Sequence, residues 1–125
     1  VQSLLASGLV RFGGGGAATS LDDSSGQQWD APNAWPPLQD MLVEGLESCV
    51  LAAEEPSGPA TAAQLVKDWV WSNYLGWKHS GVMFEKFDSV HPGSRGGGGE
   101  YTPQIGFGWT NGVLLSFLER YGKSG

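Results

Sequence analysis

Two runs of four glycines, Gly13–Gly16 and Gly96–Gly99, limit what this chain can form more than any other feature. Inside a helix each glycine costs about 1 kcal/mol relative to alanine, and in a strand it removes a packing side chain. The runs therefore act as stops, and regular structure is confined to the stretches around them. The chain holds 20 Gly and 7 Pro in 125 residues, without a collagen-like period. It also holds six Trp, which disordered low-complexity chains seldom do. The expectation is a folded chain of helices joined by long Gly-rich loops.

Ahead of the first run, Leu4, Leu5 and Leu9 read as the last turns of a helix within residues 1–10. Residues 17–34 are polar and rich in turn formers. Pro36 and Pro37 after Trp35 mark a helix start, because proline in the first turn is pre-organised and loses no hydrogen bond. Leu38, Met41, Leu42, Leu46, Cys49, Val50 and Ala53 follow at helical spacing, and residues 54–59 form a short polar linker. Thr61 and Gln64 make a capping-box pattern. It opens a second helix with Leu65, Val66, Trp69, Val70, Asn73 and Tyr74 on one face, ending between Lys78 and Ser80. A last helix is expected over 111–121, with Val113, Leu114, Phe117 and Leu118 inward and Gly122 as its C-cap. No convincing strand alternation stands out, though 101–107 has room for short strands. The reading is all-α, with helical hairpins following from the short linker. Three helices and a stub do not cover six Trp, and such long loops suit a large helical barrel whose loops line a site.

Several function classes are excluded. A net charge of -6 with seven scattered basic residues gives no grip on nucleic-acid phosphates. Cys49 is the only cysteine, so neither an intrachain disulfide nor a Cys-based zinc site forms; it reads as a buried thiol on the first long helix. His79 and His91 lack metal-ligand spacing, and no Ser/His/Asp arrangement is apparent. No apolar run is long enough to span a bilayer. Starting at Val1 on apolar residues, the chain reads as the interior of a longer polypeptide.

Three places carry candidate chemistry. Residues 27–37, from Gln27 and Gln28 through Trp29, Asp30 and Asn33 to Trp35, mix amides, a carboxylate and two indoles. Sugars ask for this mixture: amides and carboxylates grip vicinal hydroxyls, and indole faces cover the C–H faces of the ring. The plain alternative is that Trp29 and Trp35 pin a loop onto the helices. Glu85 lies between Phe84 and Phe87, where aromatic burial would raise its pKa toward proton-transfer duty; the alternative is a surface ion pair with Lys86. Glu100 ends the second glycine run, which reads either as backbone packed tightly around something or as a flexible linker. Phosphate binding is not indicated, because no Gly-Lys-Ser/Thr follows. Carboxylates and indoles on loops are the inventory of glycoside hydrolysis.

Two stretches carry a resemblance. Gln28-Trp29-Asp30-Ala31-Pro32-Asn33-Ala34-Trp35-Pro36-Pro37-Leu38-Gln39 resembles a trehalase signature. Gly96-Gly97-Gly98-Gly99-Glu100-Tyr101, continued by Gly106-Phe107-Gly108-Trp109-Thr110-Asn111-Gly112-Val113, resembles the Gly-rich C-terminal block of the same family. The likeness covers essentially the whole chain, but only the C-terminal portion of a trehalase. It implies part of an (α/α)6 barrel that splits α,α-trehalose into two glucose molecules with inversion, without metal or organic cofactor. It also implies an extracellular or membrane-anchored setting.

Residue by residue, the resemblance makes Glu85 the general base that activates the attacking water, because it lies in a Glu-Lys-aromatic-Asp segment 15 residues before Glu100. Glu100 matches a glutamate that contacts substrate hydroxyls. Trp29 and Asp30 fall in the signature beside the sugar, and Trp35 and Trp109 shape the wall. Ala34 and Pro36 stand where the family more often has Gly and Ala. The general-acid Asp and the sugar-clamping arginines lie upstream in the family, and nothing here matches them. The expectation is that the isolated chain is inactive and poorly folded, and needs the remainder of its own barrel. The competing classes are a non-catalytic carbohydrate-binding domain using the indoles as a platform, and a purely structural helical domain.

Overall fold

The computed structural model describes residues 1–48 and 57–123. Cys49, Val50 and Ala53, and residues 54–56 of the expected linker, lie outside the described residues. The element order is α1 (Gln2–Ala6), β1 (Asn33–Ala34), α2 (Pro36–Ser48), α3 (Gly58–Ser80), β2 (Phe87–Asp88) and α4 (Gly108–Tyr121). The chain is predominantly helical. Its strands form one short antiparallel pair, with Asn33 opposite Asp88 and Ala34 opposite Phe87.

The three long helices pack around one core. Val43 and Leu46 of α2 meet Ala62, Leu65, Val66 and Trp69 of α3 and Val113 and Phe117 of α4, with Phe84 and Phe87 beneath. A fully buried side chain of this size contributes about 1.5–3 kcal/mol. The α2 stripe is rotated from the one expected: Met41 is 67% exposed, while Gln39 and Val43 are buried. Gln39 turns inward because its amide pairs with both backbone groups of Ala17, accepting from N–H at 2.8 Å and donating to C=O at 2.9 Å.

Helix α3 begins at Gly58, earlier than the capping box placed it, with proline in its first turn. Thr61 is buried inside the helix, and its N–H donates to the Ser57 carbonyl at 3.0 Å. Gln64 instead donates to Asp68 Oδ1 at 2.8 Å. The helix ends at Ser80, where Gly81 takes a left-handed φ of 75° and returns its N–H to Trp77. Helix α4 starts three residues earlier than expected, and Gly122 stands at its C-cap in right-handed conformation. Of the four side chains expected inward, Val113 and Phe117 are buried and Leu118 is exposed; Thr110 is buried as well.

The N-terminal helix is shorter than its leucines suggest. It covers Gln2–Ala6, after which Gly8 turns the chain and Val10 pairs with Ala17. The first glycine run lies inside that pairing as packed backbone. A β-carbon on Gly15 would sit 1.9 Å from the Asp88 carbonyl oxygen, and the Gly15 N–H donates to Ser89 at 2.9 Å. The expected strand region contributes one bridge, Phe84 to Ile105.

One broad face is uncovered. Trp71, Tyr74 and Trp77 of α3 and Leu115 and Leu118 of α4 are exposed. They border two adjoining apolar grooves of about 540 and 750 Å³.

Candidate active site

The site is built where three loops meet on the β1–β2 pair: the loop entering β1, the segment entering β2, and the second glycine run. Glu85 is 4% exposed, placed by the turn from α3 into β2. Its backbone is tied on both sides. Its N–H donates to Gln104 at 3.1 Å, and its carbonyl accepts the Trp109 indole N–H at 3.0 Å. The carboxylate is tied as well: Oε2 accepts the Gln104 backbone N–H at 2.7 Å, and Oε1 accepts the Tyr101 hydroxyl at 3.3 Å.

Lys86 is not the surface partner of Glu85 that the sequence offered as an alternative. It is fully buried, and its ammonium donates to the Gly97 carbonyl at 2.6 Å and the Gln28 carbonyl at 3.3 Å. It sits 4.9 Å from the Trp35 ring centre, a cation over an aromatic face. Burial pulls its pKa below the ordinary lysine value, with Glu85 opposing that shift and Arg95 adding to it. Glu85 and Lys86, in the bend just before β2, leave the segment in different directions, one toward the Tyr101 loop and one under the glycine run.

The glycine run is packed around Lys86 and the signature loop. Gly96 N–H donates to the Lys86 carbonyl at 3.0 Å, Gly97 N–H to Asn33 Oδ1 at 3.0 Å, and Gly99 N–H to the Gly26 carbonyl at 2.9 Å. A β-carbon on Gly99 would meet the Gln28 side chain at 2.9 Å in a residue with φ of 80°. The linker reading is thereby overturned, and Glu100 leaves an ordered support. Glu100 is exposed and lines a hollow of about 320 Å³ with Gln27, Gln28, Trp29, Gly99 and Tyr101.

The indoles form a bent chain toward Glu85. Trp29, 46% exposed, stacks on buried Trp35 with centroids 4.0 Å apart and planes 19° from parallel. Trp35 meets Trp109 edge-on at 5.6 Å and 87°. A flat sugar platform would need coplanar exposed faces, and only Trp29 offers one. Trp35 is fixed by its N–H to the Gln28 carbonyl at 3.0 Å. Asp30 is turned to loop construction: Ser20 donates to Oδ1 at 2.7 Å and Ser25 to Oδ2 at 2.8 Å. Asp30 is not among the residues around the hollow.

Of the residues singled out in the sequence, Glu100 and Trp29 line the hollow; Glu85, Trp35 and Trp109 do not, and are joined to it through Tyr101 and the stacked indoles, while Asp30 braces the loop. Sequence reasoning missed Tyr101, Gln104 and the buried role of Lys86. Tyr101 stood in the Gly-rich block beside Glu100, but nothing in the pattern aimed its hydroxyl at Glu85.

A family profile described as Trehalase matches residues 1–122. The chain belongs to the trehalase family. It is 50% identical over 123 residues to the trehalase of Arabidopsis thaliana and 49% identical over 126 residues to a probable trehalase of Oryza sativa subsp. japonica. It is 47% identical over 107 residues to the trehalase of Homo sapiens. These alignments take in 98%, 98% and 86% of this chain, but 18%, 20% and 18% of the relatives. The trehalase-family chain thus spans about a fifth of the length of the curated relatives it matches. Among the described residues, no helix is long and apolar enough to cross a membrane.

Proposed function

We propose that the full-length protein carrying this chain hydrolyses α,α-trehalose to two glucose molecules with inversion, and that Glu85 is its general base. The observation that carries the reading is the buried Glu85 carboxylate, anchored at Oε2 by a backbone N–H and reaching through Tyr101 to the hollow that holds Glu100 and Trp29. A base for water attack must be fixed in direction and still keep a free lone pair. Glu85 meets both requirements.

In this reading a water molecule loses a proton to Glu85 as its oxygen bonds to one anomeric carbon. The bond from that carbon to the bridging oxygen breaks, and the departing glucose takes its proton from a general acid. An inverting pair stands about 6.5–9.5 Å apart to leave room for the water. The acid and further sugar clamps come from outside this chain. Glu100 hydrogen-bonds sugar hydroxyls, Trp29 offers its exposed face to the ring, and Trp35 and Trp109 wall the site from behind. Asp30 serves that wall by holding the loop. No metal or organic cofactor enters these steps.

The uncovered face of α3 and α4 supports the same reading. An apolar surface of this extent asks for further helices, so the chain is proposed as the C-terminal part of an (α/α)6 barrel, inactive without the rest. The test is glucose release from trehalose by the full-length protein. Glu85→Gln is expected to lower kcat by about 10²–10⁴-fold, the usual worth of a positioned acid or base. Unchanged turnover would remove Glu85 from this role.

A further inference from the structure

The two oxygens of Glu85 are held unequally. Oε2 accepts a backbone N–H from Gln104 at 2.7 Å, a short bond to a group that cannot rotate away. Oε1 has the Tyr101 hydroxyl at 3.3 Å, beyond the ordinary 2.5–3.0 Å of an O–H···O bond. Tyr101 is 39% exposed and lines the hollow shared with Trp29 and Glu100. Tyr101 thus borders the hollow while its hydroxyl contacts the buried Glu85 carboxylate. A phenol oxygen donates one hydrogen bond and accepts others. A carboxylate oxygen with one long contact retains acceptor capacity for a second donor.

Resting on the reading that Glu85 is the general base, we propose that Tyr101 is a water-positioning residue: its hydroxyl and Glu85 Oε1 together hold the nucleophilic water at the mouth of the hollow. The water donates one hydrogen bond to Oε1 and is steered by the phenol oxygen, leaving a lone pair aimed at the anomeric carbon. As the new carbon–oxygen bond forms, Oε1 takes the water proton. The electron pair of the breaking bond leaves with the departing glucose oxygen, which the general acid protonates. Tyr101 keeps its own proton throughout. That fits its surroundings, where burial first and the Glu85 carboxylate next hold its pKa above the ordinary tyrosine value.

The experiment compares wild type with Tyr101→Phe in the full-length protein, on trehalose and on α-glucosyl fluoride. Fluoride leaves without protonation, so the second substrate isolates the water side of the reaction. The ring is retained, so the thermal midpoint is expected to stay in place. The kcat should fall about ten- to a hundredfold on both substrates, the rate equivalent of one hydrogen bond to a charged group, with KM moving less than about threefold. An unchanged kcat would overturn the proposal. So would a loss confined to trehalose, which would put Tyr101 on the leaving-group side, or a loss confined to KM, which would make it a sugar contact. A wild type inert on both substrates would instead remove the trehalase reading and this proposal with it, a result distinct from an active wild type indifferent to Tyr101→Phe.

Discussion

Lys86→Met is the perturbation that best tests how the site is held together. The methionine keeps most of the buried stem and removes the charge. What is lost is the 2.6 Å bond to the Gly97 carbonyl, the weaker 3.3 Å bond to the Gln28 carbonyl, and the cation 4.9 Å from the Trp35 ring centre. One short charge-assisted bond is worth about 1.5–3 kcal/mol and a desolvated cation–π contact up to about 2. Three features reduce the loss. Gly97 is exposed, so its carbonyl regains water, and the Gln28 carbonyl still accepts the Trp35 indole N–H at 3.0 Å. Burial of the ammonium, the first cause of its lowered pKa, is also relieved. The net expectation is about 1–3 kcal/mol of lost stability, a drop of a few degrees in apparent Tm. The kinetic consequence should be larger in one respect. Lys86 ties the loop carrying Trp29 to the run carrying Glu100, so KM for trehalose should rise severalfold in the full-length variant, with kcat falling less. Glucose-release kinetics and a thermal melt on the same samples decide it. If the loss falls on kcat alone, Lys86 is a neighbouring charge for Glu85 and not a clamp, and the reasoning fails.

Gly15→Ala places a β-carbon against the Asp88 carbonyl, and should cost about 1–3 kcal/mol or more in overpacking. Gly97→Ala, which meets nothing within 4 Å, should be close to neutral in the same melt, and equal effects would contradict the packed-backbone account of the glycine runs. Tyr121 is pushed up to about 12, by burial first and then by its hydrogen bond to the Glu47 carboxylate. The folded state thus keeps this proton where the unfolded state has lost it. Its contribution is whole below pH 10 and is lost as pH climbs through about 12. The phenolate absorbance difference between wild type and Tyr121→Phe reads this directly, and a midpoint near 10 would contradict it.

Much of this was legible in the sequence where a local rule decides the outcome. The proline start of α2 and the end of α3 near Ser80 follow from propensity and caps. The juxtaposition of the signature with the Gly-rich block followed from resemblance, and the structure supplies its physical basis in the contacts of Gly96–Gly99 with Asn33, Gly26 and Gln28. Local rules failed where a distant partner outranked them. Met41 fits the α2 stripe by spacing, yet Gln39 takes the inward place because Ala17 needs its amide. Thr61 and Gln64 fit a capping box, but proline in the first turn starts α3 earlier and frees Gln64 for Asp68.

The two glycine runs show where the division falls. From the amino-acid order alone it follows that no helix runs through residues 13–16 or 96–99, since four residues without side chains carry too much chain entropy to remain helical. That order could not say whether they were slack or packed, because a glycine's lack of a side chain permits both. Packing in the folded chain settles it. Gly14–Gly16 lie against Asp88, Ser89 and Trp69, and Gly96–Gly99 close over Lys86 and the signature loop. The same holds for charge: sequence placed Glu85 beside Lys86, and the fold sent one toward Tyr101 and Gln104 and the other beneath Trp35, because each found its hydrogen-bond partners on a different loop.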